Sequence, residues 1–512
     1  MPTDSKQLKH QTSRAYRARS ANPARKNGPR VETYPGSAHE IVLNKSQRKI
    51  LLIALAIVNF VYFLSSSYIG NSNEGSHFAL VSALVEDGTV EISNYLHYTE
   101  RIDYATKDGK NYSDRLPGTA FLSIPFYTFG KFVRDSGLGA TISHHANSAE
   151  VFVVLLPNLA ATLAVFLMFR LCILMGFDFP VSVLTAMLFA FTTLLWREGS
   201  HFFSHAQSIA AISGAVYLAV STKNFFDGYH GRLILIAAIL ALAAIIEQVN
   251  LLHVLAFFIY GVSSGKAVER NRIKQALPLW AKAGIVYLAI YSILVVYNYA
   301  AFGELTIRTA KYNPNFPEST IGDVLQGNPL RGADLLLTNF MVPQLIFDWT
   351  VGVGNATPGL FVISPILVLS LFGFYEFFKF HKHEALLFGL LIVIQVGIVS
   401  FNHNPQTRHI LTILPFVFFP LAYVLKQSLI RMRNRRANIF YRYRLLGLII
   451  TASLYSAARA FYSINTFYGR SLSSPFTFAN EIFSYLLFYG TIFLIYAAYR
   501  YRAGKFSLDS AC

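Results

Sequence analysis

Residues Ile50–Ile69 make a predominantly apolar run of about 20 positions, the length that crosses a bilayer as an α-helix. Eleven comparable runs follow: Val151–Leu171, Val181–Trp196, Ala206–Ser221, Leu233–Ile246, Leu251–Val262, Gly284–Ala300, Gly359–Phe378, Ala385–Phe401, Ile410–Leu425, Leu445–Tyr462 and Glu481–Ala498. A chain cut into such pieces has to satisfy its backbone polar groups inside each segment, so helices are the form these runs take. Composition agrees, with 54% apolar and only 14% charged residues against roughly 25% charged in soluble domains. The expectation is an all-α polytopic membrane protein of about twelve transmembrane helices. The fifth and sixth runs are short and are alternatively one re-entrant unit.

The basic residues sort these segments by side. Residues 1–49 carry eleven Lys or Arg against three acids, with too little apolar surface to fold alone, and read as a disordered cytoplasmic tail. About 49 polar residues before the first apolar run argue against a signal peptide. The net charge of +17 resides in the tails and in short loops such as GKAVERNRIK, FKFHKHE and KQSLIRMRNRRANIFYRYR, so it reads as a topology signal. No basic face for nucleic acid is evident, and the two cysteines suggest neither a disulfide framework nor a metal spacing. Both termini are placed inside, giving a transmembrane domain over 50–499 and a cytoplasmic C-terminal tail over 500–512.

This topology assigns the chemically varied stretches to the outside: 70–150, WREGSHFFSH (196–205), 301–358, FNHNPQTRH (401–409) and INTFYGRSLSS (464–474). In the first of these, Phe78, Val81, Leu84 and Val85 recur at helical spacing and suit an amphipathic helix in the interface plane. DGKNY is turn chemistry, and Pro117 opens a second helix with Phe121, Ile124 and Phe126 as its apolar body.

Glu74 lies a few residues past the first span, where a carboxylate can take a proton from an acceptor hydroxyl. The commoner role of such an acid is to cap a helix or complement its dipole. Asp114 and Arg115 precede a Pro-Gly step, where a salt bridge or turn is the ordinary function. His201 and His205 stand four apart and would share a face if their segment were helical; with Asp114 or Glu74 they would supply metal ligands. Glu247, at a span end, is an acid at membrane depth or just beyond it.

An ordered set of motifs adds a resemblance. Asn73-Glu74 after the first span, then Tyr112-Ser113-Asp114-Arg115-Leu116-Pro117-Gly118, are similar to the first outer loop of the GT-C superfamily of polyprenyl-phosphate-sugar-dependent glycosyltransferases. The branch most similar contains the bacterial aminoarabinose and protein O-mannosyl transferases. Two positions depart from its pattern, since the family's Asp-Glu pair is reduced to Glu74 and one proline is Leu116. HFFSHAQS (201–208), YNYAAFGELTIRTAKY (297–312), GNATPGLFVISP (354–365) and QTRHILTILPF (406–416) resemble later family segments in the same order, so most of 50–425 is covered.

The resemblance implies a GT-C-like helix bundle, a polyprenyl-phosphate-linked sugar donor and a glycan, lipid or protein acceptor. Glu74 would then be the catalytic base of an inverting, in-line attack. Arg408, with Arg115 and Lys311 as second choices, would bind the donor phosphate, and Asp114, Tyr112, His201 and His205 would shape the site. Some members of the superfamily use a divalent metal ion, for which Asp114, His201 and His205 are the candidate ligands. The rival readings are a secondary transporter, against which the lack of an internal repeat speaks, and a non-catalytic membrane assembly protein.

Overall fold

The computed structural model describes residues 43–66, 69–137, 148–221, 230–264, 270–315, 331–337, 359–401, 407–433 and 438–466. The expected span Glu481–Ala498, the C-terminal tail, the loop 464–474 beyond Thr466 and residues 1–42 of the basic tail lie outside them.

Helix α1 (Lys45–Leu64) starts five residues before the expected run. The Asn44 side chain accepts from Gln47 N at 2.9 Å while the Gln47 side chain accepts from Asn44 N at 3.0 Å, a reciprocal cap that fixes the start. Further apolar helices overlap the expected runs: α4 (Leu155–Leu174), α5 (Phe179–Phe191), α7 (His205–Ser221), α8 (His230–Ile246), α9 (His253–Ser264), α10 (Arg270–Phe302), α11 (Ile366–Phe380), α12 (Lys382–Ser400), α13 (Leu421–Arg433) and α14 (Ile439–Thr466), with α10 beginning well before its run and α13 well inside its own. Between them lie α2 (Ser72–Ser82), α3 (Gly118–Asp135) and the short α6 (Leu195–Ser200).

Among the described residues five helices are long and apolar enough to cross a membrane: Lys45–Leu64, Ala149–Leu174, Leu277–Phe302, Lys382–Ser400 and Thr407–Arg433. Their environments differ. Thr407–Arg433 is almost wholly enclosed by other elements, whereas Leu277–Phe302 turns most of its surface outward. Ile285, Leu288, Val296 and Tyr299 on α10, and Val368, Leu371, Phe372, Tyr375 and Phe378 on α11, are exposed apolar side chains at helical spacing. Stripes this long are unfavourable in water and favourable against lipid acyl chains. The chain is an integral membrane protein.

Three features add to or correct the expectations. The described residues are mostly α-helical, as expected, with one small hairpin besides: β1 (Ala105–Lys107) and β2 (Lys110–Tyr112) pair antiparallel, with Ala105 opposite Tyr112 and Lys107 opposite Lys110. The two-residue turn between them, Asp108-Gly109, has φ of +51° and +77°, the left-handed pair that matches hairpin twist. Helix α2 does not lie half-exposed at an interface, because every residue from Glu74 to Ser82 is buried. A 3₁₀ turn (Ser93–Thr99) and α3 enclose it, and Gly75 is what lets the turn approach, since a Cβ there would fall 1.7 Å from the Tyr98 carbonyl oxygen.

The third concerns 196–205, the polar stretch assigned to the outer side. All of Phe191–Ala210 is buried, which makes this polar stretch part of the molecule's interior. Its polar atoms find partners there: Trp196 Nε1 donates to Ser65 Oγ at 3.1 Å, and Arg197 Nε donates to Glu198 Oε1 at 2.7 Å.

The pair of short runs around 250 resolves into α8 and α9, broken by extended backbone at Glu247 (φ −144°, ψ 122°) and a 3₁₀ turn over Gln248–Asn250. Asn250 mends the break, its Nδ2 donating to the Ala243 carbonyl and to Ser208 Oγ, both at 3.0 Å. Gly118, at the start of α3, packs against the end of α8 so closely that a Cβ would lie 2.5 Å from the Ile245 carbonyl oxygen. The Pro-Gly step thus joins the first loop to the broken helix.

Candidate functional site

Glu74 sits in the first turn of α2. Asn71 caps that helix, its Oδ1 accepting from Asn73 N and Glu74 N at 3.0 Å each, which orients the turn toward the interior. The Glu74 carboxylate is 1% exposed. Its Oε2 accepts from Gly70 N at 3.1 Å and its Oε1 lies 3.1 Å from His201 Nδ1. The other ring nitrogen of His201 faces the Ile464 carbonyl at 3.3 Å. A carbonyl only accepts, so Nε2 carries a proton. The remaining proton of the pair lies between Nδ1 and the carboxylate, and its position sets whether the two groups are an ion pair or both neutral.

A second polar cluster lies beside the first on the same helix. Ser72 Oγ donates to Asp103 Oδ2 at 2.6 Å, and Ser76 Oγ lies 2.8 Å from Ser113 Oγ and 3.2 Å from Asp114 Oδ1. Arg115 reaches both acids, at 2.5 Å to Asp103 and 3.5 Å to Asp114. Asn313 Nδ2 donates to Asp114 Oδ2 at 2.8 Å, and Thr309 Oγ1 donates to the Asp114 carbonyl at 2.6 Å. Burial pushes the Asp114 carboxyl above its ordinary range, with Arg115 and the hydrogen bonds from Asn313 and Ser76 opposing. His77, also in α2, is held neutral: burial first, then Arg115 and His205 nearby, lower it to about 3.

His205 does not share a helical face with His201. His201 is in extended backbone (φ −125°, ψ 149°) after α6, and His205 begins α7. The two rings therefore go to different acids, His201 to Glu74 and His205 to Glu247, which also accepts from Ser204 Oγ at 2.7 Å. Asp114 has a third set of partners. The donors proposed for a metal are thus dispersed, and no group of three or more His, Cys, Asp or Glu that could hold an ion occurs among the described residues.

The cations named for phosphate binding are in unlike states. Lys311 Nζ is 2.5 Å from Glu304 Oε2, and Lys107 Nζ is 3.0 Å from the other oxygen of the same carboxylate. The hydrogen bonds from Lys311, Tyr312 and Lys107 hold Glu304 down at about 2. Tyr112 packs edge-on against Phe302, which packs on Tyr312, so this corner ties the hairpin to the segment after α10. Arg115 is committed to two acids. Arg408, half-buried in the 3₁₀ turn Thr407–Ile413, has no hydrogen-bond or ion-pair partner among the described residues.

Asp103, His77 and Asn313 were not singled out by sequence. Asp103 lies in an irregular link, and Asn313 is nearly 200 positions from the acid it bonds. Neither has a local signal. His77 had one, a polar residue amid the apolar positions of α2.

Neither a family model nor a curated protein matches the sequence. Solved structures do resemble the fold. The archaeal oligosaccharyltransferase AglB from Archaeoglobus fulgidus, in complex with an inhibitory peptide and a dolichol-phosphate, is similar over 86% of this chain at 12% identity, with a TM-score of 0.49. ArnT from Cupriavidus metallidurans bound to undecaprenyl phosphate is similar over 88% of this chain and 77% of its own, at 13% identity and a TM-score of 0.48. The chain spans 59% of the length of AglB.

Proposed function

We propose that this chain is an integral-membrane glycosyltransferase that moves a sugar from a polyprenyl-phosphate donor to an acceptor hydroxyl on the outer face. The observation that carries the reading is the Glu74–His201 pair. A carboxylate just past the first membrane-spanning helix is held in the interior by a histidine from a different part of the chain. It has the chemistry of a positioned general base. The ordered resemblance of the loop motifs supplies the reaction class.

In the proposed step, Glu74 accepts the proton of the acceptor hydroxyl as its oxygen attacks the anomeric carbon. The bond from that carbon to the phosphate oxygen breaks with its electron pair going to phosphate, and the configuration inverts. The products are the glycosylated acceptor and the polyprenyl phosphate. His201, hydrogen-bonded to Glu74, keeps the carboxylate oriented and balances its charge.

The leaving phosphate gathers negative charge, which a positioned cation stabilises. Arg408 takes that role in this reading, because its charge is uncommitted whereas those of Arg115 and Lys311 are held by acids. A guanidinium also meets two phosphate oxygens at once. Asp103, Asp114 and Arg115 brace the loop over α2, and Tyr112 fixes the hairpin. No step is routed through a metal ion, since the donor set does not converge.

The test is sugar transfer in isolated membranes. Glu74→Gln is expected to lose transfer by at least about 100-fold, the contribution of a general base, at unchanged protein level. Normal transfer by this variant would overturn the assignment.

A further inference from the structure

Between Glu247 and Arg408 the interior holds polar side chains that the reaction above does not use. Gln207 is 4% exposed with both amide atoms unpaired, Gln395 is fully buried with Oε1 unpaired, and Asn250 is 1% exposed with Oδ1 unpaired. His253, fully buried, stands beside the Gln395 amide without a well-aligned hydrogen bond, both ring nitrogens unpaired. The elements that carry these groups pack on one another: α7 and α12 both meet the 3₁₀ turn Thr407–Ile413, and α12 also meets the Gln248–Asn250 turn. Asn250 bonds Ser208 on α7, and Gln395 Nε2 donates at 2.5 Å to the carbonyl of His409, which follows Arg408 in the chain.

Unpaired buried polar atoms each cost about 1–3 kcal/mol, and folded proteins pair the great majority of them. Several in one region point to a partner from outside the chain. The chemistry of that partner follows from the set. The acid at its edge, Glu247, is already held by His205 and Ser204. What remains is amide and imidazole, groups that present donors and acceptors together. They complement a group that also does both, a cluster of hydroxyls, and offer nothing specific to an anion or a cation. Arg408 stands at one end, where a phosphate joined to that group would be met.

We infer that Gln207, Asn250, His253 and Gln395 line the pocket that receives the hydroxyls of the transferred sugar and so select which sugar is used. The inference rests on the glycosyl-transfer reading.

The test uses the full-length protein in lipid nanodiscs. The probes are farnesyl phosphate alone and farnesyl phosphate carrying mannose, galactose, glucose or arabinose. The wild type is expected to bind one sugar-bearing probe more tightly than farnesyl phosphate. Gln207→Leu and Gln395→Met, each close in volume to the native residue, should weaken that preferred probe by roughly tenfold and flatten the ranking among sugars. Farnesyl phosphate itself should bind them as it binds the wild type, and Gln207→Leu should not lose thermal stability, because it removes an unpaired polar group. Gln395→Met also removes the bond to the His409 carbonyl, so it is read by its ranking among sugars and not by stability. A wild type that binds all probes alike overturns the pocket. So does an unchanged ranking in both variants, the result for a region that holds only water. The two readings fail separately: sugar-selective binding without transfer to any acceptor keeps the pocket and removes the enzyme, whereas transfer with an unaltered ranking keeps the enzyme and removes the pocket.

Discussion

His201 Nδ1 lies 3.1 Å from Glu74 Oε1 although 127 positions separate the two residues. Both are buried, so each relies on the other more than a surface pair does. Removing the histidine alone leaves a buried carboxylate without its partner, a change that costs about 3–5 kcal/mol where such pairs have been broken. His201→Ala is therefore expected to lower the unfolding temperature sharply. Adding Glu74→Gln to it should recover part of the loss, because the orphaned charge is gone. Thermal unfolding of the two variants in detergent checks this, and a double variant no more stable than His201→Ala would show that the pair is not coupled.

His77 predicts a pH dependence. Its ring is held near 3 in the folded protein against 6.5 in the unfolded chain, so below 6.5 the unfolded state binds the extra proton. The stability associated with neutral His77 is complete above pH 6.5 and is lost as pH falls toward 3, by up to about 1.4 kcal/mol per pH unit. His77→Phe should be less acid-sensitive across that window. Unfolding temperatures at pH 7, 5.5 and 4 measure the difference, and parallel curves for variant and wild type would exclude His77 as a source.

Arg408 and Lys311 separate by the partners they hold. On the proposed reading Arg408, which has no charged partner among the described residues, holds the donor phosphate, so Arg408→Ala should raise the donor KM by roughly tenfold to a hundredfold. Lys311 is paired with Glu304, and Lys311→Ala should leave the donor KM within about twofold, as exposed pairs contribute little. Equal effects of the two variants would argue against Arg408 as the phosphate residue.

Gly118 and the Ile245 carbonyl give a steric prediction. A methyl group 2.5 Å from backbone oxygen forces α3 away from the end of α8, and overpacking of this kind costs about 1–3 kcal/mol. Gly118→Ala should lower the unfolding temperature and also reduce transfer, because Asp114 and Arg115 are carried on the same turn. Wild-type stability in this variant would mean that the contact relaxes freely.

Much of the scaffold is legible from local pattern. Apolar runs mark where α1, α4, α5 and α7 to α14 lie, since a helix in lipid closes its own hydrogen bonds and needs no distant partner. They do not mark all the ends: α10 starts at Arg270, well before the run from Gly284, and α13 starts at Leu421, well inside the run from Ile410. Asp108-Gly109 and Pro117-Gly118 mark a turn and a helix start for equally local reasons. The pairing of β1 with β2 is hidden because three-residue strands are too short for a periodic signal.

Sequence by itself determined that this chain is a set of membrane helices and that Glu74 lies a few residues past the first of them. Only the tertiary structure decided what surrounds that acid. The stretch 196–205 reads as a polar loop, and its place in the interior depends on partners from remote segments: Ser65 for Trp196, Glu74 for His201 and Glu247 for His205. Burying a polar group is unfavourable until such a partner arrives, and the partner's arrival is set by packing across the whole bundle, not by neighbours along the chain.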